Sequence, residues 1–350
     1  AGGANSLTLD DVLNEVEVTS ADGGTATGIG GAFSNIGSVT GGSWDDEFDL
    51  NGGTLSGTLD GAGGDDELTL DDVANTIEVT GANSGTATGI TGGFSSVENI
   101  NGGSSTDDFD LNGGTLSGDI DGAGGANSLT LDDVANTVNV TTDDAGTATG
   151  IGGSFSNIAD FTGGSDTDEF TLDGGTISGS VDGAGGVNTV NLDDNNSTVE
   201  VTGADSGTAT GIGTGFSNIG NFNGADGDDL FDLNGGTLSG AVDGGDGGNA
   251  WDQNGTWLSG LNEAAFYKWA LDVAEAVAAA LTDRTRLIYV ESLSNPTLRV
   301  SDLPRLAEIA RGAGIPLVVD NTFSPLVLSP ARLGADIVVH SHRTGEYLAA

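Results

Sequence analysis

Aspartates recur at matched positions in the first 250 residues of the chain and could bind a hard cation. Each of these aspartates follows a glycine by five residues. Carboxylate oxygens in quantity suit calcium, which takes six to eight oxygen ligands. The candidate calcium ligands are Asp46, Asp66, Asp107, Asp168 and Asp229. The alternative interpretation is a solvated acidic face that keeps an extended protein in solution.

The residues around these aspartates resemble the calcium-binding nonapeptide repeat of secreted bacterial toxins and adhesins. Residues 61–68 and 224–231 each miss only the second glycine of that repeat. In this chain, however, the matching segments recur about every 20 residues instead of following one another directly. Asparagine also replaces the aspartate at some equivalent positions, which lowers the ligand charge: Asn5, Asn127, Asn188 and Asn249. The resemblance implies a calcium-binding secreted repeat protein.

Almost all of the net negative charge of the chain lies before residue 262. The net charge is −45, and residues 262–350 hold 10 of the 53 acidic groups and all 8 basic ones, so the preceding residues hold 43 acidic and no basic groups. Phosphate backbones repel such a polyanion, and we expect no nucleic acid partner. No apolar run is long enough to insert into a membrane as a helix. No basic-then-apolar segment of the kind found in secretion signals stands at the start of this sequence, and the absence of cysteine excludes disulfides and thiolate sites.

Internal repetition organises the acidic part. Phe33, Phe94, Phe155 and Phe216 recur every 61 residues, and four copies fill residues 5–248. Each copy divides into three steps of 20 or 21 residues, in which apolar and polar residues alternate as in a half-buried strand. We therefore predict an all-β parallel β-solenoid of about 12 coils of 20 residues over residues 1–248, turning at a recurrent glycine.

Taken together, residues 1–248 resemble the repeat regions of large bacterial surface and adhesin proteins. The resemblance implies a non-catalytic structural or adhesion scaffold, located outside the cell or at the cell surface. Its expected partners are cations, other surface components, or further copies of the chain that associate through the solenoid ends. The repeat dissolves in a junction over residues 249–261.

A different pattern follows over residues 262–350. The spacing of apolar residues over 262–281 is helical, and 286–291 is an apolar run of strand length. A second helix is predicted from Ser301, with further buried strands over 316–320 and 335–339. Strand, helix, strand and strand in this order indicate a small parallel α/β segment.

Four stretches of this segment carry a second resemblance: residues 280–292, 294–297, 318–323 and 334–341. They are similar to the cysteine/methionine-metabolism enzymes that use pyridoxal phosphate, which include cystathionine synthases and lyases and methionine gamma-lyase. The resemblance implies part of the large domain of a fold-type I enzyme. In that family's pattern Asp320 would pair with the pyridinium nitrogen of the cofactor, Ser341 would contact its phosphate, and Asn295 would lie near its ring.

The resemblance stops at the lysine that forms the Schiff base. Thr344 stands at its position, Arg343 stands where a phosphate-binding threonine is expected, and the sole lysine of the chain is Lys268. A threonine hydroxyl cannot form an imine with an aldehyde. We therefore expect a truncated, inactive enzyme segment without covalent cofactor attachment. The alternative is that the chain is a pyridoxal-phosphate-dependent lyase or transferase of transsulfuration.

Overall fold

The chain divides into two compact units, residues 1–257 and 258–350, each of which is described by itself. Among the described helical residues, no stretch is long and apolar enough to span a bilayer. The computed structural model describes residues 5–252, 257–259, 277–278, 281–282, 284–292, 301–321 and 329–339.

The first unit consists of short β-strands that follow the sequence repeat. The first copy contains β1 (Ser6–Thr8), β2 (Glu15–Ser20), β3 (Gly23–Ala26), β4 (Ala32–Ser34), β5 (Ser38–Thr40), β6 (Glu47–Asp49) and β7 (Leu59–Asp60). The second contains β8 (Glu67–Thr69), β9 (Thr76–Gly81), β10 (Ser84–Ala87), β11 (Ile90–Ser95), β12 (Asn99–Asn101), β13 (Asp108–Asp110) and β14 (Ile120–Asp121). The third contains β15 (Asn127–Thr130), β16 (Thr137–Thr142), β17 (Ala145–Ala148), β18 (Phe155–Ser156), β19 (Ile158–Thr162), β20 (Glu169–Leu172) and β21 (Ser180–Asp182). The fourth and the residues after it contain β22 (Asn188–Asn191), β23 (Thr198–Gly203), β24 (Ser206–Ala209), β25 (Ile212–Ser217), β26 (Ile219–Asn223), β27 (Leu230–Asp232), β28 (Val242–Asp243), β29 (Ala250–Asp252) and β30 (Trp257–Ser259).

These strands form two large mixed sheets. The first has 16 strands in the order β1-β5-β7-β11-β10-β9-β13-β15-β19-β21-β25-β24-β23-β27-β29-β30. The second has 14 strands in the order β28-β26-β22-β20-β16-β17-β18-β14-β12-β8-β6-β2-β3-β4. The chain crosses between the sheets repeatedly within each copy, so equivalent strands of successive copies lie in opposite sheets, as β1 and β8 do.

Alternation of side chains builds a single apolar core in this unit. In β9, Ile77 and Val79 are buried, whereas Thr76 faces outward and Glu78 is half-buried. Phenylalanines fill the interior, and the rings of Phe155 and Phe161 meet edge to face at 5.1 Å between centroids. The period-two pattern thus places β-branched and aromatic residues on the buried face of each strand.

A three-stranded antiparallel element interrupts each copy. In the first copy β2 pairs with β3, and β3 pairs with β4, both antiparallel. Gly24 of β3 lies directly against the Glu17 carbonyl, where an added Cβ would overlap that oxygen. The equivalent glycines Gly85, Gly146 and Gly207 meet the same constraint. Glycine is therefore required by the close approach of two backbones.

The prediction of an all-β parallel solenoid with about 12 equivalent coils is wrong, because both sheets are mixed and the described strands form no closed solenoid. Part of the error lies in the step through Thr27 and Ile29, which the repeat pattern assigns to a parallel strand. Thr27 is exposed and follows the antiparallel strand β3. Its Oγ1 accepts a hydrogen bond from the Glu15 N–H at 2.9 Å, which closes the hairpin.

The second unit contains a three-stranded parallel sheet in the order β31 (Ile288–Glu291), β32 (Leu317–Asp320), β33 (Ile337–Val339). Helix α1 (Leu303–Ala313) precedes β32, and a short 3-10 helix (Pro330–Leu333) precedes β33. Asp302 caps α1 by accepting a hydrogen bond from the Arg305 N–H, and Gly314 ends it with a φ of 68°. The buried face of α1 joins the sheet residues in one core: Ile288, Leu303, Leu306, Ala307, Ala310, Leu317 and Val319.

The close contact at Gly24 predicts a stability change. Gly24→Ala would push a methyl group into the Glu17 carbonyl, and we expect the free energy of unfolding to fall by about 2 kcal/mol. Urea denaturation measures this change. Gly30→Ala is the control, since an added Cβ at Gly30 meets nothing within 4 Å. Equal stability of the two variants would contradict the close-approach account.

Candidate functional site

The carboxyl ends of the three parallel strands in the second unit bring polar residues together. Glu291 at the end of β31 pairs with Asp320 at the end of β32, and Asp320 pairs with Val339 of β33. Ligands of open parallel sheets bind beyond this edge, where the strand-end side chains converge. Asp320 ends the central strand and is therefore the described residue best placed to meet a ligand there.

The Asp320 carboxylate is held by a phenol on the neighbouring strand. Tyr289 Oη donates a hydrogen bond to Asp320 Oδ2 at 2.9 Å. This hydrogen bond raises the pKa of Tyr289, with smaller contributions from burial and from the charges of Asp320 and Glu291. Asp320 is half-buried. A carboxylate accepts from up to four directions, and the phenol uses one of them.

The backbone that carries Asp320 is fixed from the other side. The Ser292 N–H donates to the Asp320 carbonyl at 2.8 Å, and Ser292 Oγ lies 2.7 Å from Asn321 Oδ1. Both side chains are buried. The Asn321 N–H donates in turn to the Val339 carbonyl at 2.8 Å. All three strand ends are therefore tied together directly around the candidate carboxylate.

Of the residues assigned from the resemblance, Asp320 is described by the structure. Asn295, Ser341 and Thr344 lie outside the described residues, as does Lys268. Sequence reasoning missed Tyr289, Ser292 and Asn321 as partners of the Asp320 strand end. All three lie inside the stretches that carry the resemblance, and that resemblance is the signal that could have pointed to them.

Comparison with known proteins shows what this part of the chain is similar to. Residues 263–348 match the model of the Cys/Met metabolism PLP-dependent enzyme family. The carboxy-terminal segment matches that family. Methionine gamma-lyase of Arabidopsis thaliana is 58% identical over 67 residues, which are 19% of this chain and 15% of that protein. Cystathionine gamma-synthase of Mycobacterium leprae is 40% identical over 89 residues, 23% of each chain. That of Escherichia coli (strain K12) is 50% identical over 68 residues, 19% of this chain and 18% of that protein.

The chain spans about a fifth of the length of the curated relatives it matches, from 15% to 23%. The matches do not show the predicted resemblance of residues 1–248 to bacterial surface and adhesin repeats. No solved structure matches the chain. A PLP-dependent family implies pyridoxal phosphate as cofactor.

The five aspartates predicted to bind calcium lie inside the first unit. Each is at most 1% exposed and immediately precedes a strand. Asp46 Oδ1 accepts hydrogen bonds from the N–H and the Nδ2 of Asn14, at 2.8 and 2.7 Å, and its Oδ2 accepts from the Gly42 N–H at 2.7 Å. The Asp46 N–H donates to Asp66 Oδ1 at 2.7 Å. Each of these side chains thus accepts a hydrogen bond from the backbone N–H at the start of a neighbouring strand in the sheet.

The same arrangement recurs in every copy, with steps of 32 and 20 residues between donor and acceptor. We call it the Asx ladder, and define it as Asn14, Asp46 and Asp66 in the first copy, then Asn75, Asp107 and Asn127, then Asn136, Asp168 and Asn188, then Ser197, Asp229 and Asn249. Sequence reasoning missed Asn14, Asn75, Asn136 and Ser197, although their 61-residue spacing was visible.

This geometry does not support a calcium site. Backbone and amide N–H groups occupy oxygens that were predicted to bind the cation. The described ranges contain no group of three or more histidine, aspartate or glutamate side chains that could hold a metal ion. The recurrent glycine before each aspartate has a packing role, since an added Cβ at Gly41 or Gly163 would overlap the carboxylate of Asp46 or Asp168.

Burial changes the acidity of part of the ladder. The pKa of Asp66 is raised to about 7, mainly by desolvation. The hydrogen bond from the Asp46 N–H lowers this pKa, whereas the charges of Asp46, Glu98 and Asp45 raise it further. Desolvation likewise raises the pKa of Asp107 and of Asp229. Within the described residues, Oδ2 of Asp66, Asp107 and Asp229 is buried without a hydrogen-bond partner.

Removal of a ladder carboxylate should destabilise the first unit. Asp168 accepts from the N–H and Nδ2 of Asn136 and from the Gly164 N–H. Asp168→Ala would leave these buried donors unpaired, and we expect a loss of about 3 kcal/mol in the free energy of unfolding. Denaturant titration provides the measurement. The exposed Asp166→Ala removes the same charge and should cost less than about 0.5 kcal/mol; a similar cost for both variants would refute the ladder's role.

Proposed function

We propose that residues 263–348 take part in pyridoxal-phosphate-dependent transsulfuration chemistry by forming the pyridinium side of a cofactor site. The observation that carries this proposal is the position of Asp320 at the carboxyl end of the central strand of a parallel sheet. The family match over residues 263–348 supports it. The substrate class would be a sulfur-containing amino acid, as the names of the relatives indicate.

The donor set around Asp320 suits this role. Its carboxylate can hold a proton on a pyridine nitrogen by a charge-assisted hydrogen bond. When bound, the cofactor supplies an electron sink for carbanion chemistry. The Tyr289 hydroxyl orients Asp320 Oδ2, and the Ser292 and Asn321 contacts fix the strand end beneath it. Asp320 is therefore presented in one orientation before any ligand arrives.

The covalent part of the site does not fit the family pattern. Thr344 stands where the resemblance expects the Schiff-base lysine, and the one lysine, Lys268, precedes the motif region. The chain's own residues would therefore hold the cofactor through Asp320 without a covalent bond at the motif position. We expect no lyase or transferase turnover from this chain alone.

For the first unit we propose no separate activity. The adhesion scaffold has no support from the comparisons. The extracellular location, which the resemblance of residues 1–248 implied, stays a prediction. So does the absence of a nucleic acid partner, which was expected from the 43 acidic groups that precede residue 262.

Loss of the Asp320 charge should weaken cofactor binding. Asp320→Asn removes the charge that stabilises a protonated ring nitrogen, and we expect the Kd for pyridoxal phosphate to rise roughly tenfold, or about 1.4 kcal/mol. Equilibrium dialysis of the full chain measures the Kd. Glu308→Gln is the matched control, since it removes one exposed charge from α1. An analogue with carbon in place of the ring nitrogen should bind both proteins equally; unchanged pyridoxal phosphate binding by Asp320→Asn would refute the assignment.

The lysine position can be tested separately. After incubation with pyridoxal phosphate and reduction with borohydride, the unaltered chain should carry no adduct within residues 334–346, whereas Thr344→Lys should carry one at residue 344. Peptide mapping by mass spectrometry locates the adduct and separates it from any reaction at Lys268. Failure of Thr344→Lys to react, with pyridoxal phosphate still bound by the chain, would show that the motif alignment is wrong.

A further inference from the structure

One position of the Asx ladder differs between the copies. Residues separated by 61 along the chain at this position are Asn5, Asp66, Asn127, Asn188 and Asn249. The residue is thus asparagine in four cases and aspartate in one. The preceding ladder position, by contrast, is aspartate in all four copies: Asp46, Asp107, Asp168 and Asp229. Asp66 stands where the repeat elsewhere has a neutral amide.

In the other copies the amide uses both of its ends. Asn127 Oδ1 accepts from the Asp107 N–H at 2.9 Å, while its Nδ2 donates to the carbonyls of Gly122 and Asn157 at 2.7 and 2.9 Å. Asn188 repeats these contacts with the carbonyls of Gly183 and Asn218. The ladder position therefore requires an acceptor on one side and a donor on the other.

Asp66 accepts the same hydrogen bond through Oδ1, but it has an oxygen, Oδ2, where asparagine has the donor Nδ2. Its Oδ1 accepts from the Asp46 N–H at 2.7 Å. Its Oδ2 and the Ser96 carbonyl oxygen both lie next to Gly61, where an added Cβ would overlap each of them. The equivalent atoms of the next copy, Asn127 Nδ2 and the Asn157 carbonyl oxygen, lie next to Gly122 in the same way. Oδ2 is buried and has no hydrogen-bond partner among the described residues. An ionised Oδ2 would thus face a carbonyl oxygen, acceptor against acceptor.

The charges around Asp66 also oppose its ionisation. The negative charges of Asp45, Asp46 and Glu98 all raise the pKa of Asp66. Glu98 accepts the Asp66 N–H on Oε2 at 2.8 Å and the Asn83 Nδ2 on Oε1 at 2.6 Å. No lysine or arginine precedes residue 268 in the sequence. A buried carboxylate among acidic groups, without a cation, favours its neutral form.

We propose that Asp66 is a proton-binding site, held as a neutral carboxylic acid whose Oδ2–H donates to a backbone carbonyl of Ser96 or Gly61, as the asparagine amide does in the other copies. While the proton stays, the acid keeps the acceptor contact of the amide and one of the two contacts that the amide donates. This proton makes a contribution to the stability of the first unit that depends on pH.

The direction of the dependence follows from the two states. The pKa of Asp66 rises from 3.8 to about 7 on folding, mainly because burial penalises its charged form. The unfolded chain thus loses the proton near pH 4, whereas the folded chain keeps it until near pH 7. The stabilisation is fully present below about pH 4 and is lost as the pH rises through about 7.

The test compares the Tm of the full chain with that of Asp66→Asn between about pH 5 and pH 8. We expect Asp66→Asn to raise the Tm at the upper pH by on the order of 5 °C, and to lessen the fall in Tm as the pH rises. Asp65→Asn is the matched control, because it removes the same charge from an exposed neighbour and should leave the fall unchanged. A fall in Tm that is identical in the original chain and in Asp66→Asn would overturn the proposal.

The converse variant keeps the proposal falsifiable if Asp66→Asn does not fold. Asn127→Asp should create a second such site and steepen the fall in Tm with rising pH. The infrared carbonyl band of a neutral carboxylic acid at about pH 6 should gain intensity in Asn127→Asp and lose it in Asp66→Asn. The proposal is overturned if Asn127→Asp leaves both the Tm profile and the infrared band unchanged. It is also overturned if calcium raises the Tm of the original chain at the upper pH but not the Tm of Asp66→Asn, because a cation would then occupy the place of the proton.

Discussion

Side-chain oxygens at strand starts, bonded to the backbone of the next strand, set the register of the first unit. Burying a carboxylate is costly unless hydrogen bonds or an opposite charge compensate for the lost water. The acidic part of the chain has no basic residue, so N–H groups must compensate, as those of Asn14 and Gly42 do for Asp46. The ladder spacing of 32 and 20 residues then fixes which strands lie side by side. Glycines such as Gly41 leave room for the carboxylate.

The apolar pattern predicted the core well but not the direction of the strands. Phe48, Phe109, Phe170 and Phe231 also recur every 61 residues at apolar positions of the alternating pattern, and all four are buried. Alternation is equally compatible with parallel and antiparallel pairing, which is why the pattern misassigns the residues around Thr27. The decisive features are Gly24, which permits close approach of the backbones, and the Thr27 contact that closes the hairpin. Both lie in a Gly-Thr-Ala-Thr-Gly segment that is identical in all four copies, but the segment alone does not show that the chain reverses there.

The sites were harder to predict because orientation depends on register. The recurrent aspartates led to the prediction of a calcium site, because carboxylate oxygens bind that cation. However, a shift of one residue in a strand decides whether a side chain points to solvent or to the interior. For Asp66 the interior position turns a potential ligand into a buried hydrogen-bonded group. In the second unit the motif predicted Asp320 at a strand end, but its contact with Tyr289 depends on the pairing of Tyr289 with Val318, which becomes visible only in the sheet.

The two units use the same side chain in opposite ways. In the Asx ladder the essential atom is Oδ1, which accepts from the preceding strand start whether the residue is aspartate or asparagine, as in Asp66 and Asn127. At the position of Asp66 and Asn127 the second atom can belong to an acid or an amide, provided that it carries a hydrogen toward the neighbouring carbonyl. At Asp46 the second oxygen accepts from the Gly42 N–H instead. At Asp320 the second oxygen instead accepts from a phenol at the carboxyl edge of a parallel sheet. The surroundings of each aspartate, and not its residue type, therefore decide whether it serves as a structural acid or as a candidate cofactor partner.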